Sequence, residues 1–170
     1  MNLSLKYGSI FIATSLLILG STFIDMHADD SEGQLRSIES YVLPNSPMLN
    51  EFRSRVELLG PEYFLTTNQD LTELVLRYRI KINSARPVHS ISWLSIYAYQ
   101  GHIIFNKEIQ VVFNSGMDQN ETRSVDSIFP IDSISRNNRI FFLSPNSDLK
   151  PIVLPLSIQY LDGGRLEVPY

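Results

Sequence analysis

The sequence has no cysteine, three histidines and one tryptophan among 170 residues. Without thiols there is no disulfide staple, no structural thiolate zinc site, no thiol nucleophile and no cysteine for lipidation. Stability has to come from packing. Bases are also in short supply, 14 Lys and Arg against 18 Asp and Glu, giving a formal charge of −4 and a pI near 5.3. Neutralising phosphates needs the opposite balance, so nucleic acid is set aside as a partner. Catalytic signatures are missing as well: no G-x-S-x-G elbow, no phosphate-cradling G-x-x-x-x-G-K, no H-E-x-x-H and no dinucleotide fingerprint. No cofactor and no metal are implied, and a non-enzymatic role is favoured. Low-complexity stretches are absent too. With 44% apolar and 19% charged residues, the chain is too apolar for disorder and of a length that suits one domain.

Long apolar runs are limited to one. Lys6 is the single charge of the first two dozen residues, Ile10 to Ile24 are uncharged, and Asp25 to Glu32 hold four acids and no base. This is the organisation of a signal peptide, with the amino end on the cytoplasmic side. Residues 1–28 are therefore read as a signal peptide, the alternative being an uncleaved anchor over residues 7–24. The run is shorter than the roughly 20 residues of a spanning helix, and Thr14, Ser15, Gly20, Ser21 and Thr22 dilute it, which favours cleavage. The expected location is periplasmic or secreted, with membrane contact only through an uncleaved N-terminal segment. Removing the leader takes away one base, Lys6, and one acid, Asp25, so the charge of −4 belongs to the rest of the chain.

Residues 29–47 are polar and punctuated by Pro44 and Pro47, and read as a tail or short helix. Residues 48–170 form the expected β domain. Phe52, Ser54, Val56 and Leu58 alternate with Arg53, Arg55 and Glu57, predicting a strand ended by Gly60 and Pro61. The clearest pattern is Leu71 to Ile82. Leu74, Leu76, Tyr78, Ile80 and Ile82 share one face, while Glu73, Arg77, Arg79 and Lys81 share the other, predicting a central strand with one wet face. Val88 to Tyr99 is apolar on both faces. Gln100-Gly101 predicts a turn, followed by strands around His102–Phe105, Ile109–Phe113, Val125–Ile131, Arg139–Leu143 and Ile152–Tyr160. Asp162-Gly163-Gly164 predicts a hairpin into Arg165–Val168. Pro155, lacking an amide donor, belongs at an edge or bulge. Seven to nine short strands without long helices predict an antiparallel β-sandwich, with an open barrel as runner-up.

Two surface constellations are candidate binding sites. Arg77, Arg79 and Lys81, joined by Arg53 and Arg55, form a basic stripe able to receive an acidic partner. Against this stands cross-strand pairing with Glu57 and Glu73. Trp93, Tyr97 and Tyr99 lie at spacing two on one strand face, the pattern of an aromatic platform, but a Trp in the third strand of a sandwich is more commonly core. His89 and His102 have no carboxylate at motif spacing and read as strand-end residues. Asp126 and Asp132 sit in a near repeat that Pro130 interrupts, and Asn120-Glu121-Thr122 is both a glycosylation sequon and a polar turn.

The succession Leu74–Ile82, Ile91–Tyr99 with Trp93, Gln100-Gly101, and Ile158 to Gly163 resembles immunoglobulin-like or fibronectin-type sandwiches of exported bacterial proteins, over about residues 50–168. The inter-sheet cysteine pair is missing, and the resemblance names no function. Three roles compete. One is a non-catalytic exported domain binding a protein of the cell envelope through a sheet edge or face. Another is a subunit or accessory of a surface assembly such as a fimbria, and the third is a hydrolase of unrecognised type.

Overall fold

The computed structural model describes residues 46–169. The expected signal peptide or anchor, and residues 29–45 of the polar tail, lie outside the described residues. The described chain runs α1 (Pro47–Arg55), β1 (Val56–Asn68), β2 (Leu71–Ile82), β3 (Val88–Tyr99), β4 (His102–Met117), β5 (Thr122–Pro130), α2 (Arg136–Leu143), β6 (Lys150–Tyr160) and β7 (Arg165–Glu167), with a 3-10 turn at Ile131–Ser133. It is an all-β arrangement of seven strands in two antiparallel sheets. The first has the order β1-β2-β5, the second β4-β3-β6-β7.

Each sheet is organised around a strand that the sequence pattern picks out. In β2 every even-numbered residue from Leu74 to Ile82 is fully buried, while Arg77 and Arg79 face solvent. β1 and β5 flank it, with Leu58 and Arg123 both opposite Ile80. In β3 the odd-numbered Ile91, Trp93 and Tyr97 point into the core, and Ile96 and Ala98 on the other face are buried too. Burial on both faces matches its position between β4 and β6. The inner faces meet where the Tyr78 and Trp93 rings lie edge to face, centroids 4.9 Å apart. The Tyr78 and Ser95 hydroxyls are hydrogen bonded to each other across the same gap.

Four expectations need correction. Phe52 to Arg55 belong to α1, not to a strand. Pro47 fits the first turn, where its missing N–H costs nothing, and Leu49 and Phe52 bury one helical face. The alternation of Arg53, Arg55 and Glu57 imitates a strand because two elements abut there. Gly60 and Pro61 do not end the strand. They bulge out of β1, lying between the pairs Leu59–Arg79 and Glu62–Arg77, with Gly60 at φ +53°. Arg139 to Leu143 lies in α2, whose Phe142 is buried while Ile140 and Leu143 are exposed; a short apolar run does not by itself distinguish strand from helix. The two short strands expected after Gly101 are one, β4, which continues to Met117.

Pro155 does sit at an irregularity. Ser157 pairs with Ser92 and Pro155 with Trp93, so Leu156 is skipped and the residues before it change face. The hairpin at Gly163 forms as expected, closed by Tyr160 N–H to Gly164 C=O at 2.9 Å and Gly163 N–H to Tyr160 C=O at 3.0 Å. Arg86 locks it from outside. Its guanidinium donates to both Asp162 carboxylate oxygens, at 2.6 to 3.0 Å, and lies 4.1 Å from the Tyr160 ring centroid.

Candidate functional site

Cross-strand register builds the outer face of the β1-β2-β5 sheet row by row. Phe64, Val75 and Ile128 stand side by side in one row, and Glu62, Arg77 and Asp126 in the next. Leu59, Arg79 and Ser124 follow, then Glu57, Lys81 and Thr122. The first row is wholly apolar, whereas each of the other three carries charged or polar side chains. Val75 is only 3% exposed beneath its neighbours, whereas Ile128 is 55% and Phe64 38% exposed. Leu71, at the near end of β2, adds another side chain that is 61% exposed. Side chains in directly opposed positions lie about 5 Å apart, so Phe64, Val75 and Ile128 form a continuous strip.

The charged rows beside it divide into satisfied and unsatisfied groups. Arg77 donates to both oxygens of Asp126, at 2.8 and 2.7 Å, and also lies over the Phe64 ring, 4.9 Å from its centroid. The hydrogen bond from Arg77 is the main cause holding the Asp126 carboxyl below its ordinary pKa, and the same bond raises Arg77. Lys81 reaches Glu57 at 3.4 Å, and the Asn83 side-chain amide donates to that carboxylate at 2.7 Å. Those two bonds, Asn83 first, lower the Glu57 pKa. Arg79 is exposed and has no ion pair among the described residues. Arg53 and Arg55 do not extend the stripe on a neighbouring strand. They stand on α1, where Arg55 approaches Glu51 at 3.7 Å.

The aromatic set is divided by burial. Trp93 and Tyr97 are 0% exposed and form no surface platform. Tyr97 packs edge-on against Tyr63 and Phe142, with centroids 5.5 and 5.8 Å away. The Trp93 indole N–H and the Tyr97 hydroxyl are buried without a hydrogen-bond partner among the described residues. Burial, then the neighbouring Tyr78 hydroxyl, push Tyr97 above the ordinary phenol range. Tyr99 is half-buried, its ring 4.8 Å from that of Phe141. His102 is exposed, and His89 is half-buried with its Nδ1 atom unpartnered among the described residues. Asp126 and Asp132 are separated by the end of β5 and bind different arginines, Arg77 and Arg139.

A recess of about 500 Å³ opens on the outer face of the other sheet, lined by Ser92, Ser157, Glu108, Arg165 and Glu167 among others. Ser92 and Ser157 hydrogen bond to each other at 2.8 Å, and Arg165 pairs with Glu167 at 2.8 Å. Most of its polar groups are thus engaged, whereas the β1-β2-β5 face offers both apolar area and an unpaired cation. Among the described residues no group of His, Asp and Glu has the geometry of a metal site, and no helix is long and apolar enough to cross a membrane. Pattern reading missed Phe64, Val75 and Ile128. Val75 carried a signal, as the one aliphatic residue between Glu73 and Arg77 on the wet face of β2. Compared with known proteins, the chain matches no family model, no curated protein and no solved structure.

Proposed function

We propose that this chain is a non-catalytic exported binding domain of immunoglobulin-like, fibronectin-type sandwich architecture, whose partner is a protein of the cell envelope. The architecture is supported by strand order. Constant-type immunoglobulin domains set strands ABED against CFG, with a buried Trp on C. Here the first, second and fifth strands share one sheet, and the third, sixth and seventh share the other. The fourth pairs with the third instead of the fifth, and Trp93 lies buried on the third. Export is supported by the leader-like pattern of residues 1–28.

The observation that carries the binding role is the apolar strip Phe64–Val75–Ile128 on the solvent face of a sheet, with Arg79, which has no ion pair among the described residues, two rows away. Clustered exposed apolar side chains with a polar rim mark interaction surfaces. The face is favoured over the β1 and β4 edges because those two edges are blunted. β1 carries the Gly60-Pro61 bulge, and β4 exposes Asn106, Lys107 and Glu108. The partner of this face presents an apolar anchor to Phe64 and Ile128 and an acidic side chain to Arg79.

Site-specific photo-crosslinking in the native cells tests this, with the reactive residue at Ile128 or, as control, at Gln110 on the outer face of the other sheet. A discrete protein adduct is expected from position 128 alone. Ile128→Asp and Arg79→Glu should each weaken the isolated interaction by about tenfold or more. Equal crosslinking from both positions, or none from 128, rejects the reading.

A further inference from the structure

We propose that the side-chain amide of Asn120 is an N-glycan attachment site. Asn120-Glu121-Thr122 is the one Asn-x-Ser/Thr triplet in residues 46–169, and its middle residue is not proline. Such triplets are frequent in proteins, and its placement is what makes this one a candidate. It forms the turn between β4 and β5, where Asp118, Gln119, Asn120 and Thr122 are all exposed. Backbone groups there are engaged. Glu121 N–H donates to Asp118 C=O at 3.1 Å, Asn120 N–H to Ile82 C=O at 2.7 Å, and Asp118 N–H to the Glu121 carboxylate at 2.8 Å. The Asn120 carboxamide and the Thr122 hydroxyl, by contrast, make no hydrogen bond among the described residues. Asn120 has φ +69°, a left-handed conformation that Asn tolerates better than most residues. A well-anchored turn thus presents to solvent both groups that define the acceptor triplet.

The donor class is a lipid-linked saccharide diphosphate. The Asn120 Nδ2 atom forms a bond to the anomeric carbon, the bond from that carbon to the diphosphate oxygen breaks, and the lipid diphosphate leaves with the electron pair. One amide proton passes to a base of the transferring enzyme, so nothing is oxidised or reduced. The site rests on the exported reading, because that donor is used on the non-cytoplasmic side of a membrane. Thr122 and Ile128 are six residues apart on one strand, roughly 20 Å at about 3.3 Å per residue, so the attachment point lies at the far end of the face from the apolar strip, with Arg79, opposite Ser124, nearer to it. The saccharide would shield the start of β5, an edge of its sheet.

The test uses the full chain expressed in its native cells, fractionated into cytosol and exported material, and analysed by intact mass before and after treatment with an amide-cleaving N-glycosidase. The exported chain is expected to carry a saccharide mass that the enzyme removes. Asn120→Gln and Thr122→Ala abolish that mass and Thr122→Ser retains it, while circular dichroism shows all three folded. Exported chain with unmodified Asn120 overturns the site and leaves export standing. Unmodified chain confined to the cytosol overturns both. A saccharide that persists in Asn120→Gln assigns it to another residue and equally overturns the proposal.

Discussion

At the scale of single residues, the core holds two tyrosine hydroxyls in opposite circumstances. The Tyr78 hydroxyl has Ser95 as its partner, and the Tyr97 hydroxyl has none among the described residues. Losing one member of a buried pair leaves the other unsatisfied, at a cost of about 1–3 kcal/mol. Tyr78→Phe is therefore expected to lower the unfolding free energy by that amount. Tyr97→Phe removes an unpaired buried hydroxyl and should be neutral or stabilising. Urea titrations of both variants check the contrast. Ile128→Asp belongs to the same scale: being exposed, it should change stability by less than about 0.5 kcal/mol, so any loss of partner binding is a surface effect. The role of Trp93 as core was legible from its place in an apolar third strand. Its unsatisfied indole N–H was not, since the position of a partner across the sheets is a three-dimensional property.

At the scale of elements, β2 was legible with its bounds because a slip of one residue would bury charge, and β3 because an apolar run is bounded by the Asn83–Pro87 loop and the Gln100-Gly101 turn. The two helices were not. α1 and α2 have only nine and eight residues, too few turns for a 3.6-residue period to stand out from a two-residue one. Their importance is larger than their length. Phe52 is 1% exposed and joins α1 to the core cluster, so Phe52→Ala should cost about 3–5 kcal/mol by thermal or urea unfolding. The proposed binding face was half legible: the stripe Arg77, Arg79, Lys81 is present, but the apolar strip needs β1 and β5 brought into register with β2. The Arg77–Asp126 pair across that face gives a pH signature. Asp126 has a lowered pKa in the folded state, so it stabilises the fold above the ordinary carboxylate range and that contribution fades as pH falls through the folded value. Arg77→Met should be less stable than the parent at neutral pH, with the gap closing in acid, as read from urea midpoints across pH. The effect is small, because both side chains are partly solvated.

At the scale of the whole domain, both ends of the pH range press on the same two sheets. Asp126, Glu57 and Asp162 have lowered pKa values through hydrogen bonds from Arg77, Asn83 and Arg86 respectively, so acid weakens all three ties together. Tyr78 and Tyr97 are raised by burial. Their stabilising contribution is complete below the unfolded phenol value near 10 and is lost above it. Alkaline unfolding should set in above about pH 10, followed by the fluorescence of Trp93, the sole tryptophan. The strand pairing carries one more consequence, for time instead of stability. β2 finds β5 only across the intervening β3 and β4, with Lys81 opposite Thr122 and Glu73 opposite Pro130. Closing such long loops before any contact rewards them slows folding to roughly milliseconds to seconds in β-rich domains. A chain that pairs its strands this slowly leaves both sheets incomplete for an interval after synthesis, and stopped-flow refolding monitored at Trp93 would measure that interval.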